Sequence, residues 1–171
     1  GEVSHYHGVL CDITERKEDA HKLLMLSRAV EHSASGVFIV NNKQCIEYVN
    51  PTFITMTGYD ESELLGGDVY QIKVADHSHK SFSAMLQATD GGESWHGELE
   101  LHAKHGDDVW VLLSTSPIRD DIGRLTHFVA VCEDITEHKN HQQQMEQLAY
   151  YDTLTGLENR RLFRDGLERL L

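Results

Sequence analysis

The sequence predicts an α+β domain in which a two-stranded hairpin is followed by several short helices and then three more strands, with a linker helix at each end. Three observations support this. Strand-like apolar runs are confined to residues 36–49 and 95–132, while residues 50–92 carry helix-start and helix-stop signals instead. Turn-forming clusters rich in Asn, Asp and Gly separate the strand-like runs, as hairpins require. Finally, residues 1–17 (GEVSHYHGVLCDITERK) reappear without a gap as residues 123–139 (GRLTHFVAVCEDITEHK), 8 of the 17 positions being identical. A period of 122 positions far exceeds the roughly 20 to 50 residues of a solenoid repeat and argues for tandem domains. Residues 1–14 therefore read as the last strand of a preceding domain, truncated, and the complete copy spans residues 27–139.

Taken in order, residues 15–30 form a linker helix, with Ala20, Leu23, Leu24, Ser27 and Val30 close to helical spacing. Residues 36–40 (GVFIV) and 45–49 (CIEYV) are two strands joined by the turn Asn41-Asn42-Lys43. Asn50-Pro51 starts a helix, because Asn caps well and Pro at the first helical position loses no needed N–H; Gly58 ends it. Asp60 and Glu63 have capping-box spacing, Gly66-Gly67 is a break, and residues 81–88 form a further helix with Phe82, Met85 and Leu86 inward. Residues 95–103, 109–116 and 127–132 are three strands, with turns at 104–107 and 120–123. The last strand runs straight into Asp134-Ile135-Thr136-Glu137, whose Asp-to-Glu spacing again suggests a capping box. Residues 137–148 form a signalling helix with Ile135, Gln142, Met145 and Leu148/Ala149 near one stripe, which two copies could pair as a short coiled coil.

Bulk properties narrow the class. The chain has 171 residues, 40% of them hydrophobic, enough for one core of about 100 to 150 residues plus flanking pieces. A formal charge of −13 opposes nucleic-acid or anionic-membrane surfaces, which need clustered Lys and Arg. No apolar run approaches the roughly 18 to 20 residues of a membrane span, so a cytoplasmic setting without direct membrane contact is expected, an anchor further upstream in the parent remaining open. The 3 cysteines share no metal-ligand spacing, and the 12 histidines are scattered. Asp107-Asp108 and Asp120-Asp121 sit at turns, where Asp is favoured for backbone hydrogen bonding, rather than forming an acid/base pair. Ser114-Thr115-Ser116 lacks a nucleophile context and reads as outward strand hydroxyls. Gly66-Gly67 and Gly91-Gly92 are isolated pairs, not a phosphate loop.

Asn50-Pro51-Thr52-Phe53 with Thr57-Gly58-Tyr59, then Glu63-Leu64-Leu65-Gly66, Trp95-His96-Gly97-Glu98 and Asp134-Ile135-Thr136 follow one another in the order that resembles the PAS sensor family with its C-terminal PAC motif. The resemblance covers essentially all of residues 27–139, and residues 1–14 resemble the end of a preceding PAS/PAC domain. It implies a five-stranded antiparallel sheet in order 2-1-5-4-3, with short helices on one face enclosing a ligand pocket. Residues 148–161 (LAYYDTLTGLENRR) resemble the opening of a GGDEF diguanylate cyclase domain, placing its truncated start at 149–171. The given sequence stops before that family's catalytic loop, so this segment is not expected to be an enzyme. The resemblance implies that the sensor controls cyclic di-GMP synthesis by its parent, an output domain also found ahead of EAL phosphodiesterases, and that the parent is a homodimer, because cyclases bring two half-sites face to face.

The same resemblance implies pocket residues Trp95, Asn50, Phe53, Tyr59 and Leu101, and a signal relay through Asp134, Ile135 and Thr136. Trp95 resembles the aromatic residue that lies by the isoalloxazine in flavin-binding PAS domains, which makes FAD one candidate; a plain core Trp is the other reading. Leu101 stands where flavin-binding relatives place an Asn, and Asp68-Val69-Tyr70-Gln71-Ile72 replaces the light-sensing motif. His77 and His79 lie roughly where haem-binding relatives carry an axial His, although the run Ala75-Asp76-His77-Ser78-His79-Lys80 also reads as a solvated loop or helix start. A small metabolite, or no ligand at all in a module that serves dimerisation, completes the alternatives.

Overall fold

A computed structural model describes residues 14–106 and 108–150. Five strands, β1 (Gly36–Asn41), β2 (Ile46–Val49), β3 (Trp95–Leu101), β4 (Val109–Arg119) and β5 (Leu125–Asp134), form one antiparallel sheet in order β2-β1-β5-β4-β3. The helices are α1 (Thr14–Glu31), α2 (Pro51–Thr57), α3 (Glu61–Leu64), α4 (His79–Asp90) and α5 (Thr136–Tyr150), with single 3-10 turns at Val69–Gln71 and Asp76–Ser78. The expected preceding-domain strand and most of the expected GGDEF start fall outside the described residues.

The local chemistry follows the sequence signals. Asn50 caps α2 by accepting from Phe53 N, Pro51 occupies the first turn, and Gly58 closes the helix in the left-handed region (φ 71°). Asp60 N–H donates to the Glu63 carboxylate, the reciprocal half of the predicted box. At the β4–β5 turn the Asp120 carboxylate accepts from Ile122 N and Arg124 N, so this Asp serves the backbone as expected. Helix α4 starts two residues before its predicted first turn. The preceding 3-10 turn runs directly into it, as the helix-start alternative for residues 75–80 expected: Asp76, His77, His79 and Lys80 are exposed, while Ser78 is buried and its hydroxyl accepts from Glu100 N.

Alternation sends one side of each strand into the core. Phe38 and Val40, Leu99 and Leu101, Val111 and Leu113, and Phe128, Ala130 and Cys132 meet Phe53, Leu64, Val69, Ile72, Val74 and Met85 from the covering segments. Fully burying one such large apolar side chain stabilises the fold by about 1.5–3 kcal/mol. Phe38 and Phe53 bring their rings to 4.8 Å, tying α2 to β1. That approach needs Gly36, since a Cβ there would stand 3.2 Å from the Phe53 backbone. Burial also pushes the Cys132 thiol up to about 12.

Both flanking helices leave this core. Helix α5 buries no residue, and α1 exposes Leu23, Leu24, Met25 and Leu26. Among the described residues no helix is long and apolar enough to cross a membrane.

Candidate functional site

Between the sheet and α4 lies a cavity of about 110 Å³. Strand parity supplies its floor: Phe38 and Val40 from β1, Thr115 from β4, and Leu125, Phe128 and Ala130 from β5. Met85, Leu86, Thr89 and Asp90 from α4 and Val69 from the first 3-10 turn form the roof, and Asn41, Asn42 and Gln44 of the β1–β2 turn edge it. Gln44 adopts φ 64°, unusual for a residue with a side chain, and its amide donates to the Asp90 carboxylate over 2.9 Å. This bond joins turn and helix across the edge of the cavity.

Thr115 departs from the sequence reading. Ser114 and Ser116 face away from the core, but Thr115 shares the inward parity of Val111 and Leu113 and is only 4% exposed. Its hydroxyl is the buried side-chain oxygen that lacks a hydrogen-bond partner among the described residues. The signal was present in the strand's period of two.

The residues implied by resemblance lie elsewhere in the core. Asn50 is fully buried, and its side chain is wholly engaged: Oδ1 accepts from Val37 N and Phe53 N, while Nδ2 donates to Val30 O and Ser35 O. Phe53 is fully buried against Phe38, Leu101 is buried on β3, and Tyr59 packs against the core from one side. Trp95 lays its ring over Gly97, where a Cβ would come within 2.5 Å of it. None of these five lines the 110 Å³ cavity.

The cavity is partly open rather than sealed. His77 and His79 also lie outside the lining. His77 turns to Glu100 (3.1 Å) and stacks against Trp110 with ring centroids 5.2 Å apart, and His79 lies 3.6 Å from Asp76. Among the described residues no three His, Cys, Asp or Glu side chains gather as a metal site.

The strand that floors the cavity also leads out of it. Two residues after Cys132, β5 reaches Asp134, and the next residues bind across to β4: Ile135 N donates to Trp110 O, and Trp110 N donates to the Thr136 hydroxyl over 3.0 Å. The Asp134 carboxylate takes the N–H of Thr136, so the predicted box with Glu137 is replaced by a tighter turn and α5 starts at Thr136. One turn on, Lys139 reaches Glu98 and lies 4.9 Å over the Trp110 ring. The relay residues therefore stand where sheet becomes helix.

Comparison with known proteins agrees with this geometry. A family model described as "PAS domain" matches residues 34–137. The probable diguanylate cyclase DgcE of Escherichia coli (strain K12) is 28% identical over 143 residues, 83% of this chain and 13% of that protein. The human high affinity cAMP-specific and IBMX-insensitive 3',5'-cyclic phosphodiesterase 8A is 23% identical over 127 residues, 74% of this chain and 15% of its own length. The chain thus spans about a seventh of these relatives. Among solved structures, that of an RNA-binding light-oxygen-voltage receptor superposes with a TM-score of 0.65 at 28% identity, over 76% of this chain and 38% of that one. The matched model covers well over half of the sequence, and its sheet order is the one observed: the chain belongs to the PAS domain family.

Proposed function

We propose that this PAS sensory domain reads a small ligand or a redox state and sets the activity of a downstream GGDEF output, the synthesis of cyclic di-GMP, through α5. One observation carries the reading. Strand β5 contributes Phe128 and Ala130 to the cavity and continues without interruption through Asp134 into α5, so a displacement of the floor is transmitted along one covalent segment. The similarity of residues 148–161 to the start of a GGDEF domain, and the alignment of 83% of the chain with a probable diguanylate cyclase, support the identity of the output. Residues 1–14 are then the end of an upstream PAS domain, and the segment itself is a regulator rather than an enzyme.

The test is cyclic di-GMP formation from GTP by the parent protein and by its Thr136→Val variant, which loosens α5 from β4 without touching the cavity. A several-fold change in rate supports the relay. Identical rates, or a downstream sequence without a GG(D/E)EF loop, overturn it.

A second reading, a ligand-free dimerisation module, is favoured by one feature: α1 exposes four consecutive apolar residues, and α5 exposes Met145 and Leu148. Sedimentation at micromolar concentrations separates the two readings: a dimer lost in Met145→Glu/Leu148→Glu with cavity binding unchanged assigns these surfaces to assembly and leaves sensing to the cavity.

A further inference from the structure

Strand β4 sends Val111 and Leu113 into the core, so Trp110 stands on the opposite side of the sheet, half-buried. Two segments meet on it there. From one side comes the 3-10 turn Asp76–Ser78, which runs directly into α4 and is tied to the edge strand β3 at a single residue: Ala75 N donates to Glu100 O, and Glu100 N donates to the Ser78 hydroxyl, both over 2.9 Å. Glu100 is the register partner of Trp110. His77, held between those two anchors, lies 3.1 Å from the Glu100 carboxylate and stacks on the Trp110 ring, with centroids 5.2 Å apart and planes at 30°. From the other side comes the start of α5. Ile135 N donates to Trp110 O, Trp110 N donates to the Thr136 hydroxyl, and the Lys139 ammonium lies over the same ring at 4.9 Å.

We infer that Trp110 is a positioning residue whose ring couples the start of α4 to the first turn of α5. Both contacts use one side chain. While His77 holds the ring, Lys139 finds a fixed aromatic face; when the turn carries His77 away, the ring is free to change rotamer and the Lys139 contact changes with it. Helix α4 also contributes Met85, Leu86, Thr89 and Asp90 to the cavity roof, so this is a second connection from the cavity walls to α5, beside the covalent one along β5. The inference rests on the reading of α5 as the output helix and adds a control point to it.

The experiment is amide hydrogen exchange of the full chain at Ile135 and Lys139, whose N–H groups bond to Trp110 O and Ile135 O at the start of α5, with the amides of β1 as internal reference. His77→Ala should speed exchange at both positions about 2- to 5-fold and leave β1 unmoved, the lower part of what an aromatic pair is worth because His77 is exposed. His77→Phe keeps a ring against Trp110 without the Glu100 contact and should keep the original rates. In a Trp110→Leu background His77→Ala should add nothing, since its effect runs through that ring. Unchanged rates in His77→Ala, equal speeding of the β1 amides, a His77→Phe effect as large as that of His77→Ala, or the same acceleration in the Trp110→Leu background overturns the coupling. The output reading fails separately: if exchange in α5 responds as expected while the parent forms cyclic di-GMP at the same rate with and without His77→Ala, the coupling through Trp110 stands and control of the output by α5 does not.

Discussion

At the N-terminal junction a buried amide does the joining: Asn50 spans the end of α1, the start of β1 and the first turn of α2 with four side-chain hydrogen bonds, and Thr52 adds one to Ser33 O at 2.6 Å. At the C-terminal junction the contacts are a part-buried bond from Trp110 N to the Thr136 hydroxyl and the exposed Lys139 ammonium against Glu98 and Trp110. Buried polar networks are costly to break, whereas exposed pairs exchange with water at little cost. The N-terminal junction is therefore built around one buried amide whose single bond to α1 is at Val30 O, and the C-terminal junction around contacts from the first turn of α5 to β4 and β3.

This contrast can be broken at several points. The largest effect should come from Cys132, which marks how far core burial extends along β5. Its thiol should alkylate at least about a thousandfold more slowly in the native protein than in denaturant, because reaction requires opening; fast labelling would mean that burial ends short of Cys132. Because the folded thiol keeps its proton up to about 12 against an ordinary value of 9.0, its contribution is complete below about pH 9 and is lost as the pH rises toward 12. Alkaline urea titrations check that sign.

Next in size, Asn50→Ala should cost about 3 kcal/mol or more in urea unfolding, since it strands the buried N–H groups of Val37 and Phe53. A loss below about 1 kcal/mol would remove the buried amide as the centre of the N-terminal junction. Gly36→Ala presses a methyl on Phe53 at the same junction and should cost about 1–3 kcal/mol. On the other side, Thr136→Val should cost only about 1 kcal/mol globally, while hydrogen exchange in the first turn of α5 accelerates. Smallest of all, Lys139→Gln should change stability by less than about 1 kcal/mol, with the difference fading in high salt.

The elements and their order were legible because they rest on local chemistry: Asn50-Pro51 and Gly58 bound α2, Asp120 nucleates a turn, and alternation marks the strands. The cavity was less legible. Thr115 has inward parity but stands between two outward serines of the same chemistry, and nothing in Gln44 or Asp90 announces that residues 46 positions apart will meet. Asn50 was recognised as a helix cap, which it is, yet its bonds to Val30, Ser35 and Val37 depend on where α1 and β1 come to lie.

Sequence alone determined the class of fold, the element order, the caps at Asn50 and Asp60 and the strand-to-helix handover at Asp134-Ile135-Thr136, since these depend on neighbours within a few positions. Tertiary structure decided which inward side chains pack shut and which leave a space, that Trp95 rests on Gly97, and that β5 both floors the cavity and feeds α5. A cavity is what remains after side chains from β1, β4, β5 and α4 have filled their shared volume, and that remainder is a sum over distant parts of the chain which no local pattern encodes.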